Sequence, residues 1–389
     1  MSPNTSARVA VVGVGHTQFR ATTPGLSYKE LMFEAATKAY EDAGIDPRQD
    51  VDSFVACSED LAEGTSIFDE YVPDQLGAAM RPVHTIGGDG LQGLASAYMQ
   101  ILTGAFRVVV VEAHSKASNI LTRNHLLALA LDPLFVRPLG INPHLVAGLE
   151  ASRYLAETGT THQQCAQVVA KNRRNALANP AAAYGAQLEP ADVLNAPPAF
   201  SPLTRLEMSR PADGAVVVVL AAQEAMRSLP RCRPVWLRGV GWCTDTPGLD
   251  SRHWGQAVYA QRAAQMAYRQ AGIRQPRREV DFAEVDDTFA YKELQHLEAL
   301  ALFRRGEAGP ATEEGLTQRD GELPVNPSGG SLGVGHLGEA TGLQKVVAAV
   351  QQLRGEAGPR QLPGVWTGLV QSWRGVPTAT GAVAILSAN

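Results

Sequence analysis

Cysteine is scarce in this sequence. Only four occur among 389 residues, Cys57, Cys165, Cys232 and Cys243, and no two form a Cys-x-x-Cys pair. That scatter speaks against a zinc ribbon or a disulfide framework and leaves thiols in a reducing compartment as the simple reading. No apolar run reaches the roughly 18 residues that a bilayer demands. The opening MSPNTSARVAVVGVGHT holds an apolar stretch only a strand long and no signal-peptide pattern, so a cytoplasmic protein is expected. Neither charge sign dominates. The 34 Lys and Arg face 39 Asp and Glu, a net charge of −5, which gives no basic field for nucleic acid and no charged tail. GVGHTQ (13–18) lacks the third glycine and the ribose-binding acid of a dinucleotide fingerprint.

The length, with 45% hydrophobic residues, exceeds one ordinary core and predicts at least two units. An internal repeat supplies them. AATKAYEDAGIDPRQDVD (35–52) and AAQMAYRQAGIRQPRREVD (263–281) share the order Ala-Ala, Ala-Tyr, Ala-Gly-Ile, Val-Asp. Each reads as an amphipathic helix, a glycine stop and the start of a strand. VAVVGVG (9–15) pairs with VWLRGVG (235–241), and DGLQGLASAYMQILTG (89–104) with TGLQKVVAAVQQLRG (341–355). FRVVVVEAHSK (106–116) matches GVWTGLVQSWRG (364–375) more weakly. Strand and helix alternate in both copies, which predicts α/β layers.

Residues from about 117 to 208 have no counterpart and read as helices and loops inserted in the first copy, closed by the strand of DGAVVVVLAAQEA (213–225). An insert on a duplicated core is expected to build a site. The turn HTIGGDG (84–90) is a glycine-rich entry to a buried helix, with Asp89 as its N-cap rather than a base. A helix start of this kind offers backbone N–H groups and a favourable dipole to a thioester oxygen. The turn carries no nucleophile. His84 either faces a pocket or ends a strand, and His16 follows Gly15 at another strand end.

Two similar α/β halves, the insert, and NPSGGSLGVGHLGEATGLQ (326–344) together resemble the thiolase superfamily. Within it the chain is most similar to bacterial and archaeal relatives of the sterol-carrier-protein (lipid-transfer) type thiolases. The resemblance spans essentially the whole chain. It implies a duplicated five-layer αβαβα fold, with halves at 1–228 and 229–389 and the 117–208 insert as the coenzyme A and substrate loop domain. It also implies a coenzyme A thioester as substrate, no covalently bound cofactor or metal, a homodimer, and a small OB-fold, zinc-ribbon partner protein.

The resemblance assigns residues one by one. The family's nucleophilic cysteine falls on Gly87, followed by Gly88, Asp89 and Gly90, and the motif histidine on His336. Asp286, in Asp286-Asp287-Thr288-Phe289, takes the place of the family's second histidine, and the C-terminal loop SWRGVPTATG (372–381) has no cysteine. Acyl-enzyme chemistry then lacks its usual groups. Asp286, Asp287 and Tyr291 at the mouth of a strand end beside His336 suit general acid–base work, which points to aldol or retro-aldol reaction of a β-hydroxyacyl-CoA. Tyr291 matches a tyrosine of thiolase-like, partner-dependent steroid side-chain aldolases; the second such tyrosine is not found. One of the two aspartates is also expected to cap the helix that holds Tyr291. Arg173 and Arg174 are either a solvated face or a grip on the coenzyme A phosphates. Ser328, Gly329 and Gly330 fall in the substrate loop, with the glycines in tight turns. The leading reading is a thiolase-like acyl-CoA C-acyltransferase, or a protein that otherwise makes or breaks a C–C bond of a coenzyme A thioester without the usual cysteines; the alternatives are the aldolase working with an OB-fold partner and a non-catalytic acyl-CoA or lipid-binding subunit of a thiolase complex.

Overall fold

The computed structural model describes residues 8–229, 233–246 and 248–388; Cys232 lies outside them. In it, Gly13 and Gly15 of β1 (Val9–His16) lie directly on the backbone of Ala39 and Ala35 in the Tyr28–Ala43 helix. A Cβ on Gly13 would stand 2.5 Å from the Ala39 carbonyl oxygen. Gly239 and Gly241 of β6 (Val235–Thr244) meet Ala267 and Ala263 of the Val258–Ala271 helix in the same way. The repeated Gly-Val-Gly and alanine patterns are therefore one packing device used twice: small residues on both surfaces let a helix rest on bare sheet. Each helix stops at a left-handed glycine, Gly44 at φ 69° and Gly272 at φ 72°.

The strands repeat as well. Among the described residues the order is β3-β2-β4-β5-β1-β6-β9-β8-β7. The remaining strands of the first half are β2 (Ser53–Cys57), β3 (Val83–Ile86), β4 (Val108–Lys116) and β5 (Asp213–Ala222). Those of the second are β7 (Phe282–Glu284), β8 (Thr367–Trp373) and β9 (Thr380–Ser387). β2 pairs parallel with β4, and β4 and β1 run antiparallel to β5. β7 pairs parallel with β8, and β8 and β6 run antiparallel to β9. Two residue pairs, Ala10 with Trp236 and Val11 with Val235, join the halves edge to edge.

Alternation along the strands sorts the chain into layers. Val108 and Val110 face the Tyr28–Ala43 helix, whereas Val109 and Val111 face a central core. That core holds the Gly90–Leu102 and Thr341–Arg354 helices and the inner faces of both half-sheets. The outer face of the second half-sheet packs on the Val258–Ala271 helix. The result is the αβαβα arrangement expected from the sequence. The insert adds the His144–Thr158 and His162–Leu177 helices, which share the outer core of the second half with the Ala290–Ala299 helix. No helix of the described residues is long and apolar enough to cross a membrane.

The two central helices touch at their first turns. A Cβ on Gly90 would lie 2.5 Å from Leu343 Cγ, and one on Gly342 would overlap Asp89 Oδ1. The shared Gly-Leu-Gln entry thus marks the point where the two copies of the repeat cross, which only glycine permits.

Candidate active site

The turn after β3 begins as the sequence suggests. Asp89 is the N-cap of the Gly90–Leu102 helix, and Gln92 folds back on the Asp89 N–H at 3.2 Å. Asp89 Oδ1 accepts from Leu91 N–H and its Oδ2 from Gly342 N–H, both at 2.9 Å. One carboxylate caps both central helices. Burial pushes it up to about 6, against the pull of Ser372 and these N–H donors. The turn's N–H groups are less free than expected: Gly88 donates to Ile86 O at 2.9 Å, and the Asp89 and Leu91 groups are used in capping. Gly87 faces open space. A Cβ there would meet only Arg374 Nη2, at 4.0 Å. Arg374 itself is ion-paired with Glu59.

His336 sits in a turn pinned to the end of the insert, donating its N–H to Arg210 O at 2.8 Å and accepting from Ala212 N–H at 3.0 Å. Its Nδ1 faces two donors, Gly338 N–H and Arg123 Nη2, each at 3.1 Å. Neither donor accepts a proton, so Nδ1 is the acceptor and the neutral ring carries its hydrogen on Nε2. Burial first, then Arg123, Lys345 and His144, push the imidazole down to about 3. His336 is therefore neutral across the physiological range, and its Nε2–H has no protein partner among the described residues.

Glu339 follows in the Gly338–Ala340 turn, half-buried. Its backbone oxygen would stand 3.1 Å from a Cβ on Gly90, which places it against the helix start. Its carboxyl is pushed up to about 7 by burial, and by Glu59 and Glu63, against the pull of its own N–H and His114. Behind it His114 bridges two acids, Nδ1 to Glu112 Oε1 at 2.9 Å and Nε2 to Glu63 Oε1 at 3.1 Å. Burial opposes the charge on His114, but the two carboxylates outweigh it and hold the ring protonated.

Other expected residues lie elsewhere. Asp286 is sealed from solvent and accepts from Thr288 N–H at 3.0 Å; burial pushes it up to about 6 while Lys345 pulls it down. Asp287 caps the Gly330–Val334 helix rather than the one holding Tyr291, taking Ser331 N–H at 2.5 Å and Leu332 N–H at 3.1 Å. Lys345 stands 3.5 Å from it. Tyr291 is not at a mouth: it is fully buried, stacked on Phe289 at 6.1 Å and beside Tyr154 at 6.3 Å, and its hydroxyl has no partner among the described residues. Ser328 is tied to Glu284, Oγ to Oε2 at 2.7 Å, and Gly329 packs under Ala176. A Cβ on Gly330 would overlap Asp287, so none of the three reaches a ligand surface. His84, in β3, lies against the Gly90–Leu102 helix that follows it, 3.4 Å from Ser96 Oγ. Cys57 and Cys165 are free and fully buried, and burial raises both thiols.

Arg173 and Arg174 part company. Arg174 points outward to Gln318 at 2.9 Å. Arg173 points inward, donating to Tyr184 O at 2.9 Å and lying 5.7 Å from the Tyr184 ring. Arg210 covers the same ring at 4.7 Å, and neither guanidinium of that pair has a carboxylate partner among the described residues. The site that assembles thus combines Gly87–Asp89 and His336 with four residues that sequence reasoning missed, Glu59, Arg123, Glu339 and Arg374, while Arg173 keeps to Tyr184.

The comparisons agree with this architecture. A family described as thiolase C-terminal domain-like matches residues 247–388. The chain is 30% identical over 387 residues to an acetyl-CoA acetyltransferase of Methanothermobacter thermautotrophicus, covering 97% of this chain and 99% of that protein. It is 28% identical over 377 residues to sterol carrier protein 2 of Oryctolagus cuniculus, covering 92% of this chain and 68% of that protein. A solved structure described as the Ltp2-ChsH2(DUF35) aldolase matches with TM-score 0.84 at 25% identity, covering 98% of this chain and 97% of that one. Taken with the duplicated layers and the His336 turn, these likenesses settle the family: the chain belongs to the thiolase superfamily and is of the sterol-carrier-protein type.

Proposed function

We propose that this chain acts on coenzyme A thioesters and breaks or forms the Cα–Cβ bond of a β-hydroxyacyl thioester by aldol chemistry, with no acyl-enzyme. The observation that carries this reading is His336. A neutral ring with its hydrogen on Nε2 donates to an oxyanion and does not withdraw a proton through that atom. Aldol cleavage needs such a donor for the enolate oxygen; acyl transfer needs a nucleophile, and at the helix start Gly87 supplies none. The likeness to a structure named as an aldolase supports the same choice. Arg210, exposed over the Tyr184 ring and without a carboxylate partner among the described residues, supports coenzyme A as the carrier, since an unpaired guanidinium suits phosphates.

The reading includes further chains, a second copy and an OB-fold, zinc-ribbon partner. It is supported by a neighbour whose name includes a DUF35 component. It is also supported by insert side chains left open to solvent, Leu121 at 95%, Phe135 at 80% and Leu134 at 75%.

The test is a chromatographic record of every coenzyme A species after incubation with acetoacetyl-CoA plus coenzyme A, and separately with β-hydroxyacyl-CoAs of several lengths. Release of an aldehyde or ketone from a β-hydroxyacyl-CoA, lost in His336→Ala, is expected. Thiolysis of acetoacetyl-CoA overturns the reading. No turnover of either substrate moves the chain to a binding subunit.

A further inference from the structure

We propose that Glu339 is the residue that moves the proton in this site, taking it from the β-hydroxyl and returning it to the α carbon. This rests on the aldol reading above. The argument is one of accessibility and commitment. Asp89 is spent on two helix caps. Asp286 and Asp287 are fully buried and hydrogen-bonded to backbone. Tyr291 and Cys57 are sealed in core. His336 has its free nitrogen occupied by hydrogen, and Glu59 is paired with Arg374. His114 is locked between two carboxylates.

Glu339 differs from all of these. It is half-buried, beside the helix start and three residues from His336, and its carboxyl has no hydrogen bond or ion pair with another side chain among the described residues. Glu59 and Glu63 raise its proton affinity and His114 lowers it, and Arg123, bonded to His336, is held charged in part by Glu339. The balance leaves the group near half-ionised at neutral pH, the condition under which a base accepts and later releases a proton efficiently.

The step balances without another reactant. The Glu339 carboxylate takes the hydroxyl proton, and the O–H pair becomes the second bond of the new carbonyl. The Cα–Cβ bond breaks, and its electron pair forms the thioester enolate, whose oxygen the His336 Nε2–H holds. Glu339 then gives the proton to Cα, which yields the shortened acyl-CoA and regenerates the carboxylate.

The experiment uses the full chain and two readouts, cleavage of β-hydroxyacyl-CoA and exchange of acyl-CoA α protons in deuterium oxide. The second needs the base and the oxyanion donor but not bond cleavage. Glu339→Gln is expected to lower both by about 10²–10⁴-fold. It should leave acyl-CoA binding unchanged and remove the rise in kcat/KM with pH, through about 7, that is expected of the wild type. Glu339→Asp is expected to restore part of the rate. If Glu339→Gln keeps wild-type cleavage, Glu339 is the wrong residue and the aldol reading stands. If the wild type exchanges α protons without cleaving, the aldol reading falls, and loss of exchange in Glu339→Gln still supports the proton-transfer role. A wild type that does neither overturns both.

Discussion

Arg123, from the insert, donates through Nη2 to His336 Nδ1 at 3.1 Å, and together with Gly338 N–H it sets which nitrogen of that ring carries the hydrogen. Replacing Arg123 with Met removes one of two donors and the nearest cation. The His336 pKa is then expected to rise from about 3 toward its ordinary range. Nitrogen-15 NMR of the imidazole across pH reads this directly. An unchanged midpoint would mean that burial alone sets the ring's state.

The vacancy at Gly87 gives a second expectation. No heavy atom other than Arg374 Nη2 lies within 4 Å of a Cβ placed there. Gly87→Cys should fold with wild-type stability and react readily with iodoacetamide, because the neighbouring guanidinium favours the thiolate. Mass spectrometry after timed alkylation checks it. A thiol that resists labelling would show the turn to be closed.

Where the two copies cross, tolerance ends. A Cβ on Gly342 overlaps the Asp89 carboxylate, so Gly342→Ala displaces the double cap. Overpacking of this kind costs about 1–3 kcal/mol, and loss of the cap adds to it. Gly90→Ala meets Leu343 instead, 2.5 Å away, and Leu343→Ala in the same chain should recover part of the loss. Urea denaturation of the three variants separates these outcomes.

Asp89→Asn keeps the size and removes one acceptor, leaving either Leu91 or Gly342 N–H against an amide nitrogen. The expected cost is about 1–3 kcal/mol. The pH dependence has a definite sign. The folded-state value, about 6, lies above the ordinary 3.8, so the stability that Asp89 contributes is full below that ordinary value and is lost as pH rises through about 6. The asparagine variant should lack this slope in melts taken across the interval.

Much of the architecture is legible in the sequence because the repeat is written in small residues. Gly-Val-Gly and Ala-Ala–Ala-Tyr mark helix on sheet, and Gly-Leu-Gln marks the crossing. His336 and Asp89 stand out for the same local reason, each set in a glycine turn. The rest of the site is not local. Arg123 arrives from the insert and Arg374 from the strand end after β8, and no spacing along the chain joins either to His336 or Gly87. Tyr291 has the right spacing for a pocket mouth, but the His144–Thr158 helix packs over it through Tyr154, a partner no local pattern announces. Ser328 to Gly330 have the composition of a ligand loop, yet the His162–Leu177 helix lies on Gly329 through Ala176, Glu284 holds Ser328, and Asp287 occupies the space over Gly330.

The shared cap on Asp89 has one more consequence. Helix starts from both copies of the repeat depend on a single carboxylate, and their first turns interlock at Gly90 and Leu343. What reads as duplication along the chain is, in physical terms, a dimer interface closed within one molecule. Severed from each other, the copies would each bare an apolar helix flank, and only the second would be left with an uncapped N–H. Fragments of this chain are therefore complements that should recombine, not miniature versions of the whole.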